Sequence, residues 1–127
     1  MILTMLKSKV YGIKVTEADL ACDGSITIDY RIMQSADILP YEQVHVLDIA
    51  NAHRFVTYAI EGEQGEMKVN GAAAKLVTIG DPLIILAYVG VEDLILDYHN
   101  KGFPRKVDGR KIREIIGRSY LEYLMVR

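Results

Sequence analysis

The 127-residue sequence has a single cysteine, Cys22. That excludes an intramolecular disulfide and any structural zinc site built from several thiolates. A lone free thiol fits a reducing compartment. His45, His53 and His99 have no paired-ligand spacing, so no metal is expected. No apolar run approaches the ~20 residues of a membrane span, so no membrane partner is expected. The opening stretch, MILTMLKSKVYGIKV, lacks the apolar core and cleavage site of a secretory leader, and a soluble cytoplasmic protein is expected. No Gly-rich loop leads into Lys-Ser/Thr to cradle phosphate, and no Gly-x-Ser-x-Gly elbow is present.

What is present suits one small domain. Half of the residues (50%) are hydrophobic, enough for a core without cross-links. The net charge of −2 is unevenly spread. Residues 1–100 carry 7 Lys/Arg against 14 Asp/Glu, and residues 101–127 carry 8 against 3. A basic tail suits nucleic acid or docking on an acidic body. No aromatics interleave with a basic patch in the main body, so nucleic acid is not expected.

The first hundred residues read as short strands and turns. KVYGIKVTEA and SITIDY alternate apolar and polar residues, as strands do. In QVHVLDIA, Val44, Val46 and Asp48 share one face, with His45, Leu47 and Ile49 on the other. HRFVTYAIEG follows as a hairpin partner. Asn70-Gly71 reads as a tight turn. DPLIILAYVGV runs apolar, as a strand buried on both faces would, and DLILDYHN reads as one more strand. YRIMQSADILP is a short helix ended by Pro40. Residues 108–125 form an amphipathic helix capped by Asp108, with Ile112, Ile115, Ile116, Tyr120, Tyr123 and Leu124 on one stripe. Such spacing of strands predicts a mainly β barrel or sandwich.

Gly24-Ser25, in ACDGSITIDY, is the one dipeptide with a chemical reading beside the turn reading. A serine hydroxyl beside a strained carbonyl can attack it, converting amide to ester, and a preceding glycine tolerates unusual backbone angles. Elimination and hydrolysis would then leave a pyruvoyl ketone, an electron sink of the kind pyridoxal phosphate supplies. For Cys22, three residues earlier, a packed small residue is favoured over a reactive thiol.

Six segments, in order, carry a resemblance: TMLKSKV (4–10), VTEADL (15–20), GSITID (24–29), RFVTYAI (54–60), VNGAAA (69–74) and GDPLIILAY (80–88). Together they resemble the pyruvoyl-dependent aspartate 1-decarboxylases. The resemblance implies a small double-psi β-barrel with short helices over residues 1–107, with the 108–127 helical extension appended. It implies a homotetramer with active sites at subunit interfaces. It implies decarboxylation of L-aspartate to β-alanine, for pantothenate synthesis, by a covalent pyruvoyl group derived from Ser25. Gly24 and Ser25 match the self-cleavage site, and Thr57 the threonine that assists it. Tyr58 matches the tyrosine that reprotonates the product. Lys9 and Arg54 match the cations that hold substrate carboxylate. Asn70, Gly71, Ala72 and Ala73 match the loop lining the pyruvoyl pocket, and Thr57 also falls beside the substrate. Whether cleavage needs a maturation factor, as it does in some family members, is left open. Tyr11, Cys22 and Leu47 depart from residues common in relatives. LILDYHNK resembles the family's closing strand, while the 108–125 helix has no counterpart. Two rivals stand beside this reading: a related pyruvoyl enzyme acting on another small acidic amino acid, and a non-enzymatic β-barrel binding module.

Overall fold

A computed structural model of the chain describes residues 1–92 and 95–114. Eight strands make one sheet: β1 (Leu3–Lys14), β2 (Glu17–Asp19), β3 (Ser25–Asp29), β4 (Gln43–Asp48), β5 (Arg54–Gly62), β6 (Met67–Asn70), β7 (Pro82–Val91) and β8 (Arg105–Asp108). Their spatial order is β2-β6-β3-β5-β4-β7-β1-β8. The mainly β, barrel-like architecture is the one expected, with β2 and β8 left as the sheet's two ends. Antiparallel pairs dominate, but β3 lies parallel to β5, β2 to β6 and β1 to β8. The curled sheet encloses a core that includes Val10, Ile26, Ile28, Ile32, Met33, Val46 and Ile85, each fully buried. Burying each such side chain contributes about 1.5–3 kcal/mol.

Alternation sets the faces. On β4, Val44, Val46 and Asp48 point inward as expected, and β5 returns antiparallel beside it. On β7 only Leu83, Ile85 and Ala87 are fully buried. Ile84, Leu86 and Tyr88 are half-buried on the outer face, so the expected two-sided burial holds on one side of the isolated chain. The register of β1 against β7 shifts between Leu6 and Ser8. There Lys7 is buried, and its ammonium donates to the Asp37 carbonyl at 2.6 Å and pairs with Glu42 at 2.6 Å.

Helix α1 (Tyr30–Ala36) starts where Asp29 accepts the Arg31 N–H at 2.8 Å, a side-chain N-cap. The same carboxylate holds the Arg31 guanidinium at 2.7 Å and the Gly65 N–H at 2.6 Å. α1 ends earlier than Pro40 would dictate: Asp37 takes a left-handed conformation (φ 58°) and closes the last turn.

The C-terminal part departs most from expectation. Residues Ile95–Asn100 form a helix, α2, where a closing strand was expected. The helical turn carries Tyr98 back onto β1, where its hydroxyl donates to the Leu6 carbonyl at 2.5 Å and its ring packs on Phe103. The strand beside β1 is instead β8. Asp108 is the last residue of β8 and not a helix cap, so the sheet extends to the first position of the expected tail. Gly109–Glu114 follow as 3-10 turns, with Asp108 held by Arg110 at 2.8 Å. The remainder of the expected 108–125 helix lies outside the described residues.

At the other end of β4, Asp48 is buried with its Oδ2 unpartnered, and the Asp81 carboxyl sits beside it. Burial, and then Asp81, push Asp48 above the usual carboxylate range, about 3.9. The protonated form is therefore the one the fold favours. Its contribution is present below the unfolded value and is lost as pH rises through the folded one. An Asp48→Asn variant keeps the acceptor for the Ala50 N–H and cannot ionise. Its stability should match or exceed the parent's at pH 7, with the gap closing below pH ~4. Thermal melts of both proteins across pH 4–8 check this.

Candidate active site

The strand register builds the candidate site. On β6, Asn70 stands between Asp19 of β2 and Ser25 of β3. One row away, Lys68 stands between Glu17 and Thr27. Met67 and Val69 point into the core, so Lys68 and Asn70 share the opposite face. Ser25, Thr27 and Asn70 are all buried. The Asn70 amide Nδ2 donates to Ser25 Oγ at 3.0 Å and to Thr27 Oγ1 at 3.1 Å. Asn70 Oδ1 is buried without a partner. Tyr58 of β5 closes the open cleft over these residues, tilted against Tyr41 at a centroid distance of 6.2 Å.

The bend before Ser25 is held from two sides. Asp19 accepts the Ala21 N–H at 2.9 Å and the Cys22 thiol at 3.1 Å. From the other side comes Gly71, with φ +76°. A Cβ there would lie 2.7 Å from Gly24 Cα and 2.8 Å from Gly24 N. Asn70-Gly71 is thus not the tight turn of a hairpin. It passes β6 into a 3-10 segment (Gly71–Leu76) and presses bare backbone against the candidate cleavage site. Gly24 itself has no left-handed φ, and nothing lies within 4 Å of an added Cβ. The conformational freedom expected of Gly24 is required instead at Gly71. Cys22 is exposed, not packed. The hydrogen bond to Asp19 raises its pKa, so the thiolate, the nucleophilic form, is disfavoured.

Of the residues singled out from sequence, Ser25, Tyr58 and Asn70 line one cleft, with Gly24 and Gly71 in contact behind it. Ala72 and Ala73 follow Gly71 in the 3-10 segment. Thr57 neighbours Tyr58 but takes the inward-facing alternation of β5, with Phe55 and Ala59. No hydrogen bond joins its hydroxyl to Ser25 among the described residues. Lys9 and Arg54 stand apart. Arg54 is four residues before Tyr58 on the same face, roughly 13 Å along the strand. It contacts His45 Nδ1 at 3.2 Å and the Tyr88 hydroxyl at 3.4 Å. Lys9 is aligned with Leu86, which is aligned with His45 and so with Val56, three strands away or roughly 14 Å. One chain therefore presents two separate half-sites: the Ser25 cleft, and an outer strip bearing Lys9, Arg54, His45 and Tyr88.

Thr27, Tyr41, Glu66 and Lys68 line the cleft without having been singled out. For two of them the signal was available: Thr27 is two residues from Ser25, and Lys68 two from Asn70, so period-two alternation shares their face. Tyr41 reaches the cleft from a left-handed turn (φ 67°) that leaves no periodic trace.

No cluster of metal-ligating side chains occurs among the described residues, and no helix among them is long and apolar enough to cross a membrane. The donor set of the cleft suits a carbonyl group at position 25. That position is buried on a regular strand, and beside it Asn70 offers both an amide donor and an unfilled acceptor.

Comparison with known proteins points the same way. Residues 1–102 match the family described as aspartate decarboxylase. The chain is 50% identical over 106 residues to an aspartate 1-decarboxylase of Clostridium botulinum, covering 82% of this chain and 81% of the relative. It is 46% identical over 111 residues to one of Maricaulis maris, covering 78% and 92%. To one of Thermoanaerobacter pseudethanolicus it is 53% identical over 91 residues, covering 70% and 78%. With that match laid over the Ser25 cleft, the chain belongs to the aspartate decarboxylase family.

Proposed function

We propose that the protein decarboxylates L-aspartate to β-alanine and carbon dioxide, using a pyruvoyl group that it makes from Ser25 by cleaving its own chain after Gly24. The observation that carries this reading is the Gly71–Gly24 contact beside a buried Ser25 hydroxyl held by Asn70, in a chain of this family. When present, the pyruvoyl ketone supplies an electron sink for the substrate's amine-bearing carbon. The protein's own groups do the rest. Asn70 Nδ2 holds Oγ before cleavage, and its unfilled Oδ1 accepts an N–H of the arriving amine. Tyr58 stands over the cleft as the proton donor to the carbanion left by carbon dioxide. Thr57 assists cleavage from the adjoining position on β5.

Aspartate carries two carboxylates, and one copy of the chain holds Lys9 and Arg54 well away from Ser25. We read the active site as completed by the outer strip of a neighbouring copy in a homotetramer. The half-buried Ile84 and Leu86 beside exposed Val56 give that strip apolar surface to bury. Arg54 is assigned the retained carboxylate, because its planar fork matches a carboxylate and clamping the departing one would stabilise the ground state. An Arg54→Gln variant should lose roughly 10- to 150-fold in kcat/KM for L-aspartate, the equivalent of the 1.5–3 kcal/mol of a charged hydrogen bond. Steady-state assays of β-alanine formation check it, and unchanged kinetics would refute the role. Assaying L-glutamate alongside tests the substrate: turnover favouring glutamate would overturn aspartate as the substrate.

A further inference from the structure

Lys68 is used by none of these roles. It is the one Lys or Arg lining the Ser25 cleft among the described residues, and Asp23 and Glu66 line the same cleft. Its ammonium stands 3.6 Å from Glu17 and 3.7 Å from Asp19, beyond hydrogen-bond length, with partners 57% and 33% exposed. Such pairs hold a lysine weakly. The Asp19 oxygen it approaches also accepts the Cys22 thiol at 3.1 Å, so the ammonium already lies against the loop that ends at Gly24.

The proposed cleavage changes the charge there. Ser25 Oγ bonds to the Gly24 carbonyl carbon and the Gly24–Ser25 C–N bond breaks, giving an ester. Loss of the residue-25 Cα proton and of the Cβ–Oγ bond frees Gly24 as a carboxylic acid, which gives up its proton. One water then replaces the residue-25 nitrogen, which leaves as ammonia. Oγ departs with Gly24. The new carboxylate therefore carries the oxygen that Asn70 Nδ2 holds at 3.0 Å in the intact chain. It forms one row from Lys68, among Asp19, Asp23 and Glu66, where an anionic substrate must enter. An uncompensated carboxylate there would repel that substrate.

We propose that Lys68 captures the Gly24 carboxylate created by self-cleavage and so clears the cleft for an anionic substrate. The inference rests on the cleavage proposed above. In the cleaved enzyme labelled with [1-13C]glycine, Gly24 is the only one of the ten glycines to end in a carboxylate, so one glycine carbonyl signal titrates. In the parent that signal should stay nearly flat from pH 7 to pH 4. In Lys68→Gln its midpoint should rise by at least one pH unit above the parent's, and KM for L-aspartate should rise about tenfold, with a smaller change in kcat. Lys68→Arg should restore the parent's behaviour in both measurements. A parent that shows no titrating glycine carboxylate because its chain is intact would overturn both the cleavage and this inference. A cleaved parent whose Gly24 signal titrates like that of Lys68→Gln would overturn the role of Lys68 and leave the cleavage standing.

Discussion

Replacing Ser25 by alanine should leave the chain in one piece and abolish decarboxylation completely. The change removes the only hydroxyl that Asn70 offers to the Gly24 carbonyl, and with it the source of the reactive ketone. It should not unfold the protein. Ser25 is buried, so a smaller apolar side chain fits, and Asn70 Nδ2 keeps its bond to Thr27 at 3.1 Å. Losing one neutral hydrogen bond costs about 1 kcal/mol. Mass spectrometry and a thermal melt on the Ser25→Ala variant separate the two effects. Loss of turnover with an intact chain and a nearly unchanged melt is the expected pair. A variant that still cleaves or still turns over aspartate would remove Ser25 from the chemistry.

The second large effect is expected at Gly71, a residue that performs no chemistry. Gly71→Ala puts a methyl group 2.7 Å from Gly24 Cα and 2.8 Å from Gly24 N, both backbone atoms that cannot rotate aside. It also imposes a left-handed φ of +76° on a residue with a Cβ. The conformational term costs about 1–2 kcal/mol and the overpacking about 1–3 kcal/mol. The bend must move, and the Ser25 hydroxyl loses its alignment with the carbonyl it attacks. Self-cleavage should slow at least ~100-fold, the rate equivalent of about 2.7 kcal/mol on the barrier. Gly24→Ala is the control. With no left-handed φ and open space around its Cβ, it should fold with stability within about 0.5 kcal/mol of the parent. Time courses of cleavage, followed by gel or mass for each variant, would show the contrast. Equal rates for Gly71→Ala and the parent would mean that the contact does not align the bend.

Much of the barrel was legible because alternation reports directly on a half-buried strand. Val44, Val46 and Asp48 were assigned to one face from sequence, and that is the face they bury. The reactive dipeptide was legible only through resemblance, since Gly-Ser is ordinary turn composition. What was lost has physical causes. Ile95–Asn100 alternates well enough to pass for a strand, but Tyr98 reaches the Leu6 carbonyl only when the segment is coiled into a helix. That tertiary contact has no local signature. Asp108 looks like a helix cap and is instead the end of a strand pairing with residues a hundred positions earlier. The special backbone was sought at Gly24, beside the serine, and lies at Gly71, across the sheet. Lys9 and Arg54 were correctly seen as cations on strands, yet sequence does not reveal that the sheet carries them away from Ser25 within one chain.

The most direct test is the mass of the purified protein under denaturing conditions. Two fragments are expected, residues 1–24 ending in a free carboxylate and residues 25–127 beginning with a pyruvoyl group in place of serine. Single intact chains, persisting after long incubation both alone and with an extract of the cells that make the protein, would contradict the conversion of Ser25 and everything built on it.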